Sequence, residues 1–592
     1  MISNANVLFF DIETDALKLD DITKIHFIGI GNLQGKVKVF TDLDKAVQLL
    51  SQADLVVGHN VITFDIPVIQ KFYPTFSPKQ VYDTLIASKL FETDIYNYDK
   101  NVTHIPPKYR GKYTLEAWGY RLGVLKKDTG KQENYEVTEE NFEKMMEYCA
   151  QDVRVAMALW NFLETSGRVP RGALELEQEV RRIIWLQESF GFLFDEAGAR
   201  ELLGRLYDEI ATVNSELQRM FPPKKKVVGY YARDNRNKGI KAGDPKIVTE
   251  IFNPSSRDQI AERLQEKYNW DPKIKTPSGK PKIDEEILAT LDFPEAKLIS
   301  RYLLLEKRIS QLAEGAGALL KCIGDDGRIH GKVDTLGTVS RRMSHYSPNV
   351  AQVPSPNVPF GKEFRELFIV PEGYKLVGVD AEQLELRLLA HYLYPWDHGE
   401  FAKEVSQGDI HERNRVAAGL KTRAEAKTFI YAFIYGAGDA TIGKQLGGDQ
   451  ELGKRIRKEY LKNIPALKYL LKAAMDKAKR TSQIKTLDGV VISVPKPYIA
   501  LNRIIQSAGA IVMKRALVIL DQQIRDTGLI VGEDIKYVAN VHDEFQIEVK
   551  EKHAELVAKL AEKSISLAGQ YYNLRCPMQG KAQIGNNWYE TH

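Results

Sequence analysis

The sequence predicts a multidomain protein, α/β in its first third and α+β in its last half, with a helical stretch between. Three observations carry that prediction. At 592 residues the chain exceeds what one hydrophobic core can serve, so roughly three to five domains are expected. β-branched runs that meet acidic residues occur at Val7–Thr14, Lys375–Asp380 and Tyr537–Val549, and segments of helical period alternate with them. Between these ends, 173–220 carries helical period without strand pattern. A hydrophobic content of 43% and a charged content of 27% are those of an ordinary folded protein, which excludes a disordered chain. No apolar run approaches membrane-spanning length, so no membrane partner is expected.

Taken in order, Val7-Leu-Phe-Phe-Asp-Ile-Glu-Thr reads as a buried strand. Spacing of i,i+2 puts Asp11 and Glu13 on one of its faces. The acids also stop the apolar run, so it cannot be a secretory core. A second strand, Leu55-Val-Val-Gly-His-Asn, leads to Asp65 just before an expected helix start at Pro67. Asn141 to Leu163 reads as a helix with Tyr148 and Asp152 one turn apart on one face. Clustered acids of this kind suit two divalent cations, one activating water and the other stabilising the leaving oxygen of a phosphodiester, with the tyrosine orienting the water. Any one of them alone would pass as a strand-end or helix-cap acid.

After a linker marked by Gly167, Pro170 and Gly172, helices are expected over 173–190 and 197–220. Periodicity stops between Pro222 and Lys246, where eight Lys and Arg face only Asp234 and Asp244. A solvated loop and a grip on a phosphate backbone fit that run equally. Asn253-Pro-Ser-Ser supplies cap chemistry for a following helix.

In the last half, Lys375–Asp380 is an apolar strand ending in an acid, and a helix from Leu384 follows. Tyr537–Val549 reads as strand, tight turn and returning strand with period-two alternation, His542-Asp543-Glu544 forming the turn. Two adjacent carboxylates without an evident cation repel each other. Asp380 and Asp543 together would hold two Mg²⁺ that bind a nucleoside triphosphate and activate a primer 3′-hydroxyl. Arg423, Lys427 and Tyr431 follow one another at i+4 along one helix, presenting two cations and then a ring. Gly438–Lys444 nearly spells a phosphate loop, but Gln445 replaces the metal-binding hydroxyl residue and a helix, not a strand, precedes it. The cysteines Cys149, Cys322 and Cys576 form no CxxC pair, so neither zinc nor a disulfide framework is expected, and a reducing compartment is the simple reading.

The order DIET, HNxxxFD, YxxxD resembles the DEDD proofreading 3′→5′ exonucleases of the tyrosine subclass, which have an RNase H-like fold. The resemblance implies catalytic roles for Asp11, Glu13, Asp65, Tyr148 and Asp152. DAEQLELR, RxxxKxxxY with its following YG, and VHDE resemble the three motifs of family A DNA polymerases, whose fold is a right hand. SRRMSHYSPNVAQVP, GDIHERN, LNRIIQSAGA and the closing NWYETH support it. TLEAWGYRLG, FNPSSRDQI and AKTFIYAFIYGAGD bring the chain nearest to the replicative polymerases of T-seven-type podophages.

This resemblance implies an exonuclease domain over 1–165, a linker and polymerase start over 166–195, and a thumb over 196–322 with a basic tip at 222–250. The palm would occupy 323–392 and 505–592, with fingers at 393–504 between them. Asp380, Asp543 and the Ala381 carbonyl would ligate metal, and Glu544 would support the primer terminus. His411, Arg423 and Lys427 would hold the triphosphate, Glu385 would pack on the sugar and exclude a 2′-hydroxyl, Arg342 and Gln506 would read the minor groove, and His542 would position the primer end. Two Mg²⁺ per site are implied, Mn²⁺ substituting. Primer-template DNA, dNTPs, a phage helicase-primase and a single-strand-binding protein are the implied partners, in the cytoplasm of a bacterial host.

Three features depart from the family pattern. Glu382 stands where a small residue is usual, the arm tip is shorter than the thioredoxin-binding insertion of the coliphage enzyme, and, with the exonuclease pattern at the start of the sequence, no 5′ nuclease is expected. Two other functions stay open: a nuclease whose second half only binds nucleic acid, and a single-strand-binding scaffold without activity.

Overall fold

A computed structural model describes residues 6–124, 138 and 140–592. Its contacts separate two units, one of Met1–Phe192, Gly331–Tyr346 and Val370–His592, the other of Leu193–His330 and Ser347–Ile369. Among the described residues no helix is long and apolar enough to cross a membrane.

The first unit begins with a five-stranded sheet of β1 (Val7–Thr14), β2 (Ile25–Asn32), β3 (Val37–Phe40), β4 (Leu55–Gly58) and β5 (Val81–Asp83), in the order β3-β2-β1-β4-β5. β1 is central, antiparallel to β2 and parallel to β4; Val7 and Phe9 enter one hydrophobic cluster and Phe10 and Ile12 another, so both of its faces are covered. Helix α1 (Asp65–Phe72) starts at Asp65, two residues ahead of the expected start, and α2 (Thr84–Phe91) is capped by Asp83. Helix α3 (Phe142–Ser166) ends where Gly167 turns left-handed at φ 61°. It lies against β2 because two glycines leave room: a Cβ on Gly29 would come within 2.9 Å of Cys149 Sγ, and one on Gly31 within 2.7 Å of Met157 Sδ.

Helix α4 (Arg171–Phe190) carries the chain onward. Its Gln178 accepts the Asp83 N–H at 2.7 Å and donates to the Val81 carbonyl. One hydrophobic cluster combines β1, α2, α3 and the start of α4 with Ile484, Val490 and Ile492 from the last half of the chain. The first sheet and the last half therefore share a core.

The second unit contains α5 (Glu196–Met220), a ribbon of β6 (Lys224–Tyr230) and β7 (Pro245–Glu250), α6 (Arg257–Tyr268) and α7 (Pro294–Ile309). Asp195 caps α5, and Ser256 caps α6 by accepting the Gln259 N–H, the chemistry that Asn253-Pro-Ser-Ser foretold. Over 222–246, where a solvated loop and a grip on a phosphate backbone fitted equally, the chain forms the ribbon instead of an irregular loop. Lys224 pairs with Glu262 at 2.5 Å and Glu266 at 2.7 Å, while Lys226 pairs with Glu250 at 2.9 Å. Alternate lysines are thus neutralised against α6, and Val227, Val228 and Tyr230 on the ribbon stay exposed.

Back in the first unit, β8 (Lys332–Asp334) pairs with β9 (Ser344–Tyr346). Strand β10 (Tyr374–Ala381), helix α8 (Leu384–Asp397), α9 (Ile410–Ala418) and α10 (Arg423–Ile434) follow. A hairpin of β11 (Gln483–Lys485) and β12 (Val491–Ser493) precedes the long α11 (Ala500–Asp526). The chain ends with β13 (Ile535–Val541), β14 (Glu544–Lys550), α12 (Ala554–Tyr571) and β15 (Gly580–Gly585), forming the sheet β13-β14-β10-β15. The expected turn is confined to His542 and Asp543, His542 taking φ 57°, and Glu544, expected within it, is the first residue of β14. The alternation is not: β13 and β14 are buried on both faces, because α4 and α11 pack with β13 residues in the largest core cluster and the C-terminal segment covers Gln546 and Glu544.

Candidate active sites

On the first sheet, Asp11 and Glu13 project half-buried from β1. Asp65, at the first position of α1, accepts the Ile12 N–H at 3.2 Å, which ties it to the strand between them. Helix α3 brings Asp152, buried, close enough for its charge to act on Asp65, and Tyr148 lies one turn before it, half-buried. Burial raises the Asp65 pKa, and the like charges of Asp83 and Asp152 add to the effect. Crowded carboxylates that hold one another's protons are relieved by a cation, so this donor set fits divalent metal.

Two neighbours were not singled out by sequence reasoning. Asp83 accepts the N–H groups of Asn60 and Leu85 at 3.0 and 2.9 Å, fixing the loop that follows β4. Cys149, set apart from metal chemistry in the sequence, places Sγ within 4.8 Å of ligand atoms of Asp11 and Glu13. Its signal was its position beside Tyr148, on the turn that leads to Asp152. Burial and the nearby acids push this thiol well above its ordinary range.

The second site forms where β10 meets β14. Asp380 lies opposite Glu544 in the antiparallel register, and the Ala381 N–H donates to the Asp543 carbonyl at 3.0 Å. Thus Asp380 and Asp543, far apart in the chain, stand at one strand end. Burial in the cleft, then the charges of Asp543, Glu544, Glu385 and Glu382, push Asp380 up to about 8. Asp543 is pushed up to about 6, chiefly by burial and Glu385, while Arg342 opposes the shift. Glu382 therefore acts on this site as one more negative charge. Carboxylates crowded in this way are relieved by a cation, so the donor set suits dications.

Around the carboxylates, Glu385 accepts from Arg342 Nη2 at 3.1 Å and from the Tyr435 hydroxyl at 2.8 Å. Tyr435 continues the i+4 series of Arg423, Lys427 and Tyr431, and extending that period by one step would have found it. Thr422 and Glu425 form a capping box that starts α10. Arg423 pairs with Asp409 at 2.9 Å, and Asp409 also caps α9 by accepting the His411 and Glu412 N–H groups. The His411 ring lies 6.4 Å from that of Tyr431. His411 is buried and its Nδ1 has no hydrogen-bond partner among the described residues; burial, Arg423 and Lys427 depress its pKa. Lys427 is exposed on α10 and Gln506 half-buried on α11; no hydrogen bond joins either to these groups among the described residues. A small cleft lined by Arg342, Leu384, Met513, Asn540, His542 and Asp543 opens beside the carboxylates.

Glu544 is placed differently from Asp543. It is 4% exposed, and its carboxylate accepts from Trp588 Nε1, from Gln546 Nε2 at 3.2 Å and from His592 Nδ1 at 2.7 Å. The closing NWYETH thus folds back onto the turn and supplies the partners that the turn lacked in the sequence.

Comparison with known proteins gives a consistent set of relatives. The signature of DNA polymerase family A matches residues 234–590. A DNA-directed DNA polymerase of Enterobacteria phage T3 is 33% identical, the alignment spanning 99% of this chain and 100% of the relative. The DNA-directed DNA polymerase of Escherichia phage T7 is also 33% identical, over 98% of this chain and 99% of its own length. Among solved structures, the polymerase domain of Pol1 from M. smegmatis, in complex with DNA primer-template and dNTP, superposes with a TM-score of 0.76 at 20% identity. That match covers 99% of this chain and 96% of the other, and it establishes the multidomain α/β and α+β fold.

Proposed function

Because this chain belongs to DNA polymerase family A, we propose that it is a template-directed DNA polymerase that adds dNTPs to a primer 3′-hydroxyl and proofreads with a 3′→5′ exonuclease. The observation that carries the polymerase reading is the meeting of Asp380 and Asp543 at one strand end, through the Ala381 N–H and the Asp543 carbonyl. Asp380, Asp543 and the Ala381 carbonyl would hold two Mg²⁺ or Mn²⁺, as would Asp11, Glu13 and Asp152 at the other site; bound there, the metals activate the attacking oxygen and stabilise the leaving one.

The chain's own groups do the rest. Lys427, Arg423 and His411 bind the triphosphate; Arg423 must exchange Asp409 for phosphate, and the unpartnered His411 Nδ1 is available to a phosphate oxygen. The Tyr431 ring meets the base or sugar. Glu385, fixed by Tyr435, packs on the sugar and excludes a 2′-hydroxyl. Arg342 and Gln506 contact the minor-groove acceptors that correct pairs share, and His542 positions the primer end. Glu544 supports the primer terminus through the C-terminal residues that it binds. In the exonuclease, Asp65 braces β1 and Tyr148 orients the attacking water.

By this reading 1–165 is the exonuclease, 166–195 the linker, 196–322 the thumb, 323–392 and 505–592 the palm and 393–504 the fingers. The enzyme would copy a phage genome in the host cytoplasm with a helicase-primase and a single-strand-binding protein. The short ribbon at the thumb tip argues against thioredoxin as a partner, so equal product lengths with and without thioredoxin are expected.

Extension of a primed template with Mg²⁺, supplying one dNTP at a time, tests the proposal: incorporation should follow the template order. Degradation of single-stranded 3′ ends without any incorporation would instead support a nuclease whose second half only binds nucleic acid.

A further inference from the structure

Behind the polymerisation site lies a closed group of four charges that no step above uses. Arg341 donates from Nη2 to Glu177 of α4 at 2.6 Å and from Nη1 to both oxygens of Asp488 at 2.6 and 2.7 Å. Lys514 of α11 donates to both oxygens of Glu177 at 2.8 Å and to the Thr335 carbonyl at 2.7 Å. The side chains of Glu177 and Arg341 have no solvent exposure, and those of Lys514 and Asp488 have 2% and 5%. Two cations and two carboxylates balance.

Such a cluster is a poor way to gain stability. Removing four charges from water costs most of what their attraction returns, and apolar residues of similar volume often serve as well. Arg341 adds a second cost, because its backbone is left-handed at φ 65°, a conformation that favours glycine. Strain of this kind persists where the surroundings over-determine it, and it concentrates at functional sites. Here the strained residue immediately precedes Arg342, whose Nη2 holds Glu385 at 3.1 Å and whose guanidinium stands 6.0 Å from the Tyr435 ring. The backbone on either side is pinned as well: the Arg341 N–H donates to the Thr338 carbonyl at 2.8 Å, and the Thr338 hydroxyl donates to the Arg342 carbonyl at 3.1 Å.

We infer that Arg341 is a positioning residue for primer-terminus recognition: anchored between Glu177 and Asp488, it locks the left-handed turn that aims Arg342 at the minor groove of the terminal base pair. The inference rests on the minor-groove reading of Arg342 proposed above. Asp488, on the β11–β12 hairpin, and Glu177, on the helix that leads out of the first sheet, become parts of the discrimination apparatus without touching DNA.

The test is single-turnover extension of matched and mismatched primer termini, in an Asp11→Ala background that prevents excision, with Arg342→Ala, Arg341→Gly and the double variant. Glycine keeps the left-handed turn accessible and removes only the anchor. Arg342→Ala is expected to lower the matched-to-mismatched ratio about tenfold, the size of one charge-assisted hydrogen bond. Arg341→Gly should lower it comparably, and the double variant should be no worse than Arg342→Ala alone. If Arg342→Ala leaves the ratio unchanged, the minor-groove reading falls and this inference with it. If Arg342→Ala lowers the ratio but Arg341→Gly slows both termini equally, or the two losses multiply, the inference is wrong and the reading of Arg342 stands. Should Arg341→Gly fail to fold, Asp488→Asn releases one side of the anchor with Arg341 intact, and the same ratio decides. Arg341→Lys, reaching one carboxylate, should recover part of the ratio, and no recovery would count against positioning.

Discussion

Replacing Asp380 by asparagine is predicted to stabilise the metal-free protein while abolishing synthesis. Folding raises the Asp380 pKa from 3.8 to about 8, through burial and then the charges of Asp543, Glu544, Glu385 and Glu382. Ionising it therefore costs more in the folded state than in the unfolded one. That penalty is absent below about pH 4, grows as pH rises and is fully present above about pH 8. Asp380 sits in a cleft among other acids but keeps part of its surface in contact with solvent, so screening leaves about 1–2 kcal/mol of it rather than the whole shift. Denaturant unfolding in EDTA should show Asp380→Asn the more stable by this amount at pH 8.5, with a much smaller difference at pH 5. Mg²⁺ should reverse the order, since a ligand at one hundred times its dissociation constant adds about 2.7 kcal/mol to a protein that holds it. An asparagine variant less stable than wild type in EDTA at pH 8.5, or a difference that ignores pH, would refute the repulsion on which the metal site rests.

Three further outcomes are expected. Tyr431→Phe should reduce dideoxynucleotide incorporation about tenfold or more relative to deoxynucleotides, since on the proposed reading the hydroxyl would occupy the space of a missing 3′-OH; equal chain termination by the two proteins would remove that role. Gly29→Ala should push α3 off β2, since its Cβ meets Cys149 Sγ and Val153 Cγ2 at 2.9 Å, and should slow 3′ excision about 10–100-fold while leaving primer extension unchanged; unaltered excision would mean that α3 tolerates the shift. Glu544→Ala strands the buried Trp588 Nε1 donor, while the exposed His592 turns to water, and should cost about 1–3 kcal/mol of stability, read by thermal unfolding; a loss of extension without destabilisation would show instead that Glu544 acts on the primer itself.

Much of the fold and the site was legible because the decisive residues sit next to strong local patterns. Asp11, Glu13 and Asp380 follow apolar runs that can only be buried strands, and Asp543 breaks another, so each acid advertises a strand end. Sequence brought Asp380 and Asp543 together but could not supply the register of their strands or the partners that arrive from elsewhere in the chain. The register that sets Asp380 opposite Glu544 depends on β14 and β10 finding each other, and the partners of Glu544 come from the last residues of the chain. Close approach was equally hidden: Gly29 and Gly31 look like ordinary strand glycines until α3 is laid against them. The ribbon at 224–250 was missed because its lysines read as solvated charge, whereas Lys224 and Lys226 are bound to acids of β7 and α6. Arg341 gave no signal at all, since nothing in SRRM distinguishes the partly exposed Arg342 from the entombed Arg341 beside it.

A labelled primer ending in a single mismatch, annealed to template with Mg²⁺ and dNTPs, tests in one experiment whether one chain carries two carboxylate sites with opposed reactions. Wild type should remove the mismatch and then extend, Asp543→Ala should excise without extending, and Asp11→Ala should not excise yet should still extend a matched primer. Extension by Asp543→Ala, or undiminished excision by Asp11→Ala, would contradict the assignment of the two sites.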